Sequence, residues 1–431
     1  MQLKPILGPI QLMFYCVGVI IGAGVYSVIG TAAGLAQESL WLSFSVAALV
    51  ALLTGFSYAE MTTSFPHAGA EYVYLRRAFP ESDLAAFSVG LVILMGGAAT
   101  ATTVAVAFGG YLRTFVDIPT GLSAFALLFG CTALNIWGLR ESSWVNVLFT
   151  SIEVAGLFLV VAAGFTHGSL TEPLAAPSQQ GIIPAAAILF FVYLGFEEIA
   201  NLAEEVRNPA RDLPRAIFFS IGITTLLYVL VSLAVVILAP PAELAASQAP
   251  LALAIQKVWP RAGNLLSAIA LFATANTVLI TLIATSRLAF SMGRDGQIPA
   301  LLGTVLPSRG TPWIATILIF AMSAALLPIG DVKILAELSS FSALLAFLAV
   351  NLALIVLRYR LPQQRRPFRV PFNIGRMPVL ALAAIGSILL LLAQFDWQIY
   401  LAGAAALALT IITFVVRQWW ARNVNRVKSR S

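Results

Sequence analysis

Gly18-Val19-Ile20-Ile21-Gly22-Ala23-Gly24-Val25-Tyr26 sits in the middle of an apolar run that extends from about Ile6 to Leu35. Two glycines two residues apart allow the backbone to leave helical geometry, because a residue without a Cβ reaches conformations closed to the others. A second stretch repeats the pattern. Phe190-Phe191-Val192-Tyr193-Leu194-Gly195-Phe196-Glu197-Glu198 puts a glycine and two carboxylates inside another apolar run. In lipid, an unwound segment bares N–H and C=O groups that a ligand, water or neighbouring protein must satisfy. N–H groups at the start of a half-helix suit a carboxylate. Carbonyls at the end of a half-helix suit an ammonium. A pair of breaks can therefore hold both ends of an α-amino acid. Glycine in a membrane helix often serves only close packing, and either glycine cluster alone would be read that way. Their paired placement and the adjacent acids favour a binding site.

Outward from these breaks, the composition fixes the class. The 431 residues are 60% hydrophobic and 10% charged, against about 25% charged in a soluble domain. So few charges cannot coat a water-facing surface. The apolar residues fall in runs long enough to span lipid at roughly 20 residues each, and the first is too long for the core of a signal peptide. The sequence predicts an all-α polytopic membrane protein with about twelve transmembrane helices, over 8–33, 40–64, 84–113, 120–138, 143–166, 181–202, 215–239, 262–289, 312–328, 334–357, 378–395 and 398–417. The breaks fall in the first and sixth. Five is odd, so two five-helix repeats would lie in opposite orientations, and interrupted helices at matching places in two halves point to a transporter's binding site. A core over 1–357 is expected, with repeats over about 8–166 and 181–357. A cytoplasmic loop, two further helices and a basic tail follow over 358–431.

Orientation follows from the basic residues. With the N-terminus inside, 21 of the 25 Lys and Arg residues fall in cytoplasmic segments or at the inner end of a helix; Arg113, Lys257, Arg261 and Lys333 fall outside. The bias predicts a multi-pass protein of the cell membrane, inner or plasma, with both termini cytoplasmic. It also explains the basic tail without a nucleic-acid partner. Segment 240–258 reads as an external re-entrant or surface helix, and 361–377 as a basic, Pro-rich cytoplasmic loop. Cys16 and Cys131 lie inside apolar runs, and His67 and His167 lie near run ends. No disulfide, metal site or organic cofactor is expected, only a proton or sodium gradient as driving force.

At these residues the chain resembles the amino acid–polyamine–organocation (APC) superfamily of transporters. The resemblance is carried by the Gly18–Tyr26 stretch, by Tyr58-Ala59-Glu60-Met61 with Phe65-Pro66-His67-Ala68-Gly69-Ala70-Glu71-Tyr72-Val73-Tyr74, and by Phe190 to Gly195. Glu204-Glu205-Val206-Arg207-Asn208-Pro209, Leu213-Pro214-Arg215-Ala216-Ile217, Ser286-Arg287, Arg294-Asp295-Gly296-Gln297-Ile298-Pro299 and Arg366-Pro367-Phe368-Arg369-Val370-Pro371 extend it over about the first 375 residues. It implies a LeuT-like five-plus-five inverted repeat with discontinuous helices 1 and 6 and two extra helices. It implies that Gly22, Ala23 and Gly24 present N–H groups to a substrate carboxylate. Ile21, Phe191 and Leu194 would offer carbonyls to its amine beside Gly195, and Phe191 and Phe196 would wall the pocket.

Intramembrane acids are functional hypotheses by default. Glu60, ending the second span, is read as a structural or gate residue that pairs with an Arg on the inner side. Glu197 is read as a proton carrier or as a cap on the broken backbone. Glu153 stands where several sodium-independent members of the superfamily carry a lysine that occupies a sodium position. A glutamate cannot mimic a cation, but it can attract one or carry the proton itself. Thr274, Asn276, Thr277 and Thr281 supply oxygens nearby, and Thr277 and Thr281 share one helix face; ordinary interhelical hydrogen bonding is the plainer reading of each threonine. Glu204, Glu205, Arg207, Arg211 and Asp212 form either an inner gate latch, with Glu205 in the gate, or a solvated loop. Gly96 and Gly97 leave room for a side chain, and Asn276 and Ser342 are the polar candidates beside it, which favours a neutral substrate.

The expected function is secondary active transport of an amino acid by alternating access, most simply proton-coupled uptake of a neutral one. Exchange of amino acids, or of polyamines and cationic amino acids, is the alternative. A membrane-embedded enzyme would need a catalytic constellation such as GxSxG or HExxH, and neither is present. A channel would want a repeated filter or rings of charge, which twelve dissimilar spans do not offer.

Overall fold

The computed structural model describes residues 8–66, 70–81, 83–138, 143–167, 181–201, 203, 206–405, 407, 408, 412 and 414. The first apolar run forms two helices, α1 (Pro9–Ile21) and α2 (Gly24–Ala36), on either side of Gly22-Ala23. After a 3-10 turn come α3 (Leu40–Ser64), the short α4 (Ala70–Ala78), α5 (Asp83–Leu112), α6 (Thr120–Trp137) and α7 (Ser143–His167). The second broken run consists of α8 (Ile182–Leu189), a 3-10 turn over Phe190–Tyr193, an extended Leu194, and α9 (Glu198–Asn201). It is followed by α10 (Pro209–Leu238), α11 (Pro241–Ala246), α12 (Pro250–Gln256), α13 (Pro260–Arg294), α14 (Trp313–Leu326) and α15 (Val332–Arg360). A two-stranded hairpin, β1 (Asn373–Ile374) with β2 (Met377–Pro378), precedes α16 (Val379–Leu392) and α17 (Trp397–Ala405).

Local signals place these ends. Pro209, Pro241, Pro250 and Pro260 each open a helix, where the missing N–H costs nothing. Asp331 caps α15 by accepting from the Lys333 N–H at 2.8 Å. Gly138 stops α6 in a left-handed conformation.

The protein is an all-α polytopic membrane protein. Among the described residues, eight helices are long and apolar enough to cross a membrane, or nine if α16 and α17, bent by 112°, count as one span. The twelve expected spans do not all meet that measure, for visible reasons. Each half of the first run has 13 residues. Only one turn separates α2 from α3, which together read as the single 41-residue stretch Gly24–Ser64. α14 is 14 residues long, and 8 of the 20 residues of the expected last span lie outside the described residues. The 240–258 segment, expected outside, contains the helix pair α11 and α12, which packs on α2.

α5 runs through the centre against α13 and α15, while α3 packs on α10, and α1 on α10 and α7. The outward side chains are apolar, as lipid demands: Leu122, Phe129, Phe158, Leu226, Leu389 and Trp397 are all exposed. Largely enclosed between the helices are the tyrosines Tyr26, Tyr58, Tyr111, Tyr193 and Tyr228, all fully buried. Their rings pack the core; the Tyr228 hydroxyl reaches backbone oxygens that the broken helices leave over, those of Tyr26, Tyr111 and Tyr193 reach carbonyls of neighbouring helices, and that of Tyr58 reaches a carboxylate.

Candidate functional site

The two breaks cross each other. A Cβ built on Gly24 would lie 3.2 Å from the Val192 Cα, and one on Gly195 would lie 2.7 Å from Val19 Cγ1 and 3.0 Å from the Val19 carbonyl oxygen. Gly195 also has φ of +119°, a conformation that residues with a Cβ rarely adopt. At that point glycine is required twice over, by dihedral and by space. The sequence therefore breaks both helices at the depth where they touch.

The bared backbone groups are met by side chains from two other helices, α13 and α10, and by groups within the second break itself. The Ala23 N–H donates to Thr277 Oγ1 at 2.9 Å. The Tyr228 hydroxyl lies 2.9 Å from the Ile20 carbonyl oxygen, 3.3 Å from that of Ile21 and 3.3 Å from that of Val192. One α10 side chain thus gathers carbonyls from both broken helices. In the second break, the Leu194 N–H donates to the Phe191 carbonyl at 3.3 Å, and the Gly195 N–H donates to Glu197 Oε2 at 2.8 Å. Of the two readings of Glu197, the cap on the broken backbone is therefore present. Phe191 and Phe196 are buried; the Phe196 ring packs on Tyr58 and Phe347, with centroids at 5.6 and 5.2 Å.

Beside the first break stands Glu153 on α7. Its side chain is 1% exposed, it is hydrogen-bonded to Asn276 of α13, and its Oε1 has no hydrogen-bond partner. Its backbone carbonyl accepts from Tyr26 at 2.9 Å, and the Tyr26 carbonyl in turn accepts from Tyr111 at 3.1 Å. A buried carboxylate oxygen with no donor is costly, and no salt bridge to Glu153 occurs among the described residues. The threonines divide. Thr277 joins α13 to the break, whereas Thr274 donates back to Ala270 at 2.6 Å within its own helix. Asn276 sits with Glu153. Gly96 lies against Ser342, and Gly97 against Thr285, so helix packing fills the room that those glycines create.

Near the C-terminal end of α3, Glu60 is fully buried. Its carboxylate accepts from Arg358 Nε at 2.9 Å, from Arg358 Nη2, from Arg366 Nη1 at 3.2 Å and from the Val370 N–H at 2.7 Å. It ties α3 to the end of α15 and to the 361–377 segment. That segment also sets Phe368 against Phe56 and Phe218, with centroids at 6.5 and 5.7 Å. The expected pairing with an Arg is met by two, Arg358 and Arg366. Glu204 and Glu205 lie outside the described residues.

The sequence reading passed over Tyr228 and the Tyr58–Glu71 pair, in which the Tyr58 hydroxyl donates to Glu71 Oε1 at 2.7 Å. For Tyr228 there was a signal, a lone polar-tipped aromatic in the apolar run Leu226-Leu227-Tyr228-Val229-Leu230.

Comparison with known proteins agrees with this geometry. Residues 7–416 match the family described as amino acid permease. The chain is 32% identical over 420 residues to the branched-chain amino acid permease BcaP of Bacillus subtilis, covering 92% of this chain and 89% of that protein. It is 30% identical to the methylthioribose transporter of the same organism, covering 86% and 84%. It is 32% identical to the vacuolar cationic amino acid transporter 4 of Arabidopsis thaliana, covering 83% of this chain and 64% of that one. The crossed helix breaks, the all-helical membrane architecture and the match along nearly the whole length have one reading in common: the chain belongs to the amino acid permease family of the APC superfamily.

Proposed function

We propose that this permease is a secondary active transporter that moves a neutral amino acid across the cell membrane by alternating access, coupled to protons. The crossing of the two breaks carries the reading. It brings N–H groups of one half-helix and carbonyls of both broken helices to one buried place. Gly22, Ala23 and Gly24 bind the substrate carboxylate there; Ile21, Phe191 and Leu194 bind its ammonium; Phe191 and Phe196 wall it. In the arrangement described above, Thr277, Tyr228 and Leu194 already partner several of these groups. Substrate entry then trades internal hydrogen bonds for substrate ones, with no backbone group left bare in lipid. A neutral, apolar side chain is favoured by the small and aromatic residues around the breaks. The near full-length likeness to a branched-chain permease favours the same class.

Glu153, with its unpartnered buried oxygen, is the first coupling residue, assisted by Asn276 and Thr277. Taking up a proton or a sodium ion removes a charge that the surrounding helices do not balance. Glu197 is the second. Glu60 holds the inner gate with Arg358 and Arg366, and residues 1–357 form the transporting core, with both termini cytoplasmic. Uptake of radiolabelled amino acids and polyamines into proteoliposomes, with and without an inward proton gradient, tests this. Gradient-stimulated accumulation of a neutral amino acid is expected. Uptake only into vesicles preloaded with substrate would make the protein an exchanger, with Glu153 and Glu197 in structural roles.

A further inference from the structure

One carboxylate stands outside the machinery above and yet touches it. Glu71 lies in the first turn of α4, the short helix between the second and third spans, which packs on α5 and α15. Its Oε1 accepts from the hydroxyl of Tyr58 at 2.7 Å. Tyr58 belongs to α3 and is fully buried; its ring stands edge-on to Phe196 in the second break and to Phe347 on α15, with centroids at 5.6 and 5.4 Å. A hydrogen bond therefore links the α4 helix to α3 beside the second break. The acids facing Glu71 are Glu197 and Glu198 of the second break, and Tyr58 and Tyr74 are the hydroxyls near it. Among the described residues, the arginines of α4 and of the last turns of α15 are engaged elsewhere. Arg358 is held by Glu60, Arg360 by Glu81 at 2.8 Å, Arg77 lies over the Phe65 ring, and Arg76 lies over Tyr72.

We propose that Glu71 is a protonation site that links cytoplasmic pH to the contact between α4 and Tyr58 of α3: it holds a proton while the Tyr58 hydroxyl is bound and releases it to the cytoplasm when that contact opens. The transport role of that contact rests on the alternating-access reading; the protonation itself does not. Burial, chiefly, and the neighbouring Glu198 charge push the Glu71 carboxyl up to about 7, against the opposing pull of the Tyr58 hydrogen bond. Once that contact opens, water reaches the carboxyl and its affinity for a proton falls to about that of an ordinary glutamate, near 4.3. The closed form therefore binds the proton more tightly. Its advantage is full below the lower of the two values and is lost as pH rises through the upper one. Between pH 6 and pH 8 the closed form should lose about tenfold in its equilibrium over the open one.

Hydrogen exchange of the full chain in lipid nanodiscs, read on peptides covering the end of α3 and α4 and corrected for intrinsic exchange rates, measures this without any substrate. Wild type should show about tenfold greater protection at pH 6 than at pH 8. Glu71→Gln, which mimics the protonated acid, should stay protected at both. Glu71→Asp, which keeps a titrating carboxyl, should retain a step. A wild type with no step, or a Glu71→Gln variant with an undiminished one, would overturn the proposal. An intact step in a protein that transports no amino acid supports the protonation site and tells instead against the transport reading.

Discussion

Replacing Tyr228 by phenylalanine removes one oxygen atom and changes almost nothing else. The ring remains between Phe44 and Tyr193, at centroid distances of 5.5 and 5.6 Å, so the packing survives. What is lost is the hydroxyl that faces the carbonyls of Ile20, Ile21 and Val192 at 2.9 to 3.3 Å. The break after Ile21 deprives the nearest of these carbonyls of their usual helical donors. A hydroxyl has one proton, so only one strong bond disappears at a time. A buried acceptor left unmade costs about 1–3 kcal/mol, and 1.4 kcal/mol is about tenfold in an equilibrium. The variant should therefore fold and reconstitute normally, yet populate the crossed-break arrangement about five- to a hundredfold less. In proteoliposomes this should appear as a comparable fall in the ratio of maximal rate to KM for a neutral amino acid. A Tyr228→Phe protein with wild-type monodispersity and unchanged uptake kinetics would refute the idea that this hydroxyl organises the site.

Three further outcomes follow from the same geometry. Glu153→Gln should abolish the proton or sodium dependence of uptake while leaving exchange measurable, and an unchanged ion dependence would remove Glu153 from the coupling mechanism. Gly195→Ala forces a Cβ to within 2.7 Å of Val19 Cγ1 at a φ of +119°; a strain of about 1–3 kcal/mol or more should abolish uptake, and wild-type activity would show that the break is softer than described. Glu60→Ala leaves Arg358, whose side chain is 2% exposed, without its carboxylate, and breaking a buried pair costs about 3–5 kcal/mol. The double variant Glu60→Gln with Arg358→Met should recover most of the detergent stability lost by the single change, and equal losses in both would argue against a coupled pair.

Much of this architecture was legible in the residues. Long apolar runs have one solution in lipid, so the helices Leu40–Ser64, Ser143–His167 and Val332–Arg360 fall within a few residues of the expected spans. Gly22-Ala23-Gly24 and Gly195 marked the breaks, and at Gly195 the φ of +119° is one that residues with a Cβ rarely adopt. Partners were harder to read. Tyr228 lies 208 residues from Ile20, and Arg358 lies 298 residues from Glu60; nothing local announces such contacts. A run of apolar residues fixes depth but not the rotation of a helix about its axis. That is why Asn276 could be placed by its helix both near Glu153 and beside the substrate pocket, and only the structure shows it bonded to Glu153. Thr274 illustrates the same gap, since a hydroxyl in a helix can satisfy itself on the preceding turn.

The most direct test of the central claim is counterflow. Proteoliposomes preloaded with an unlabelled neutral amino acid that the protein takes up and diluted into a trace of the same amino acid radiolabelled, with no ion gradient, should accumulate label transiently above its equilibrium level, as expected if one site faces the two sides in turn. Label that merely equilibrates, at the same rate whether or not the vesicles were preloaded, would contradict transport through a single alternately exposed site at the crossed breaks.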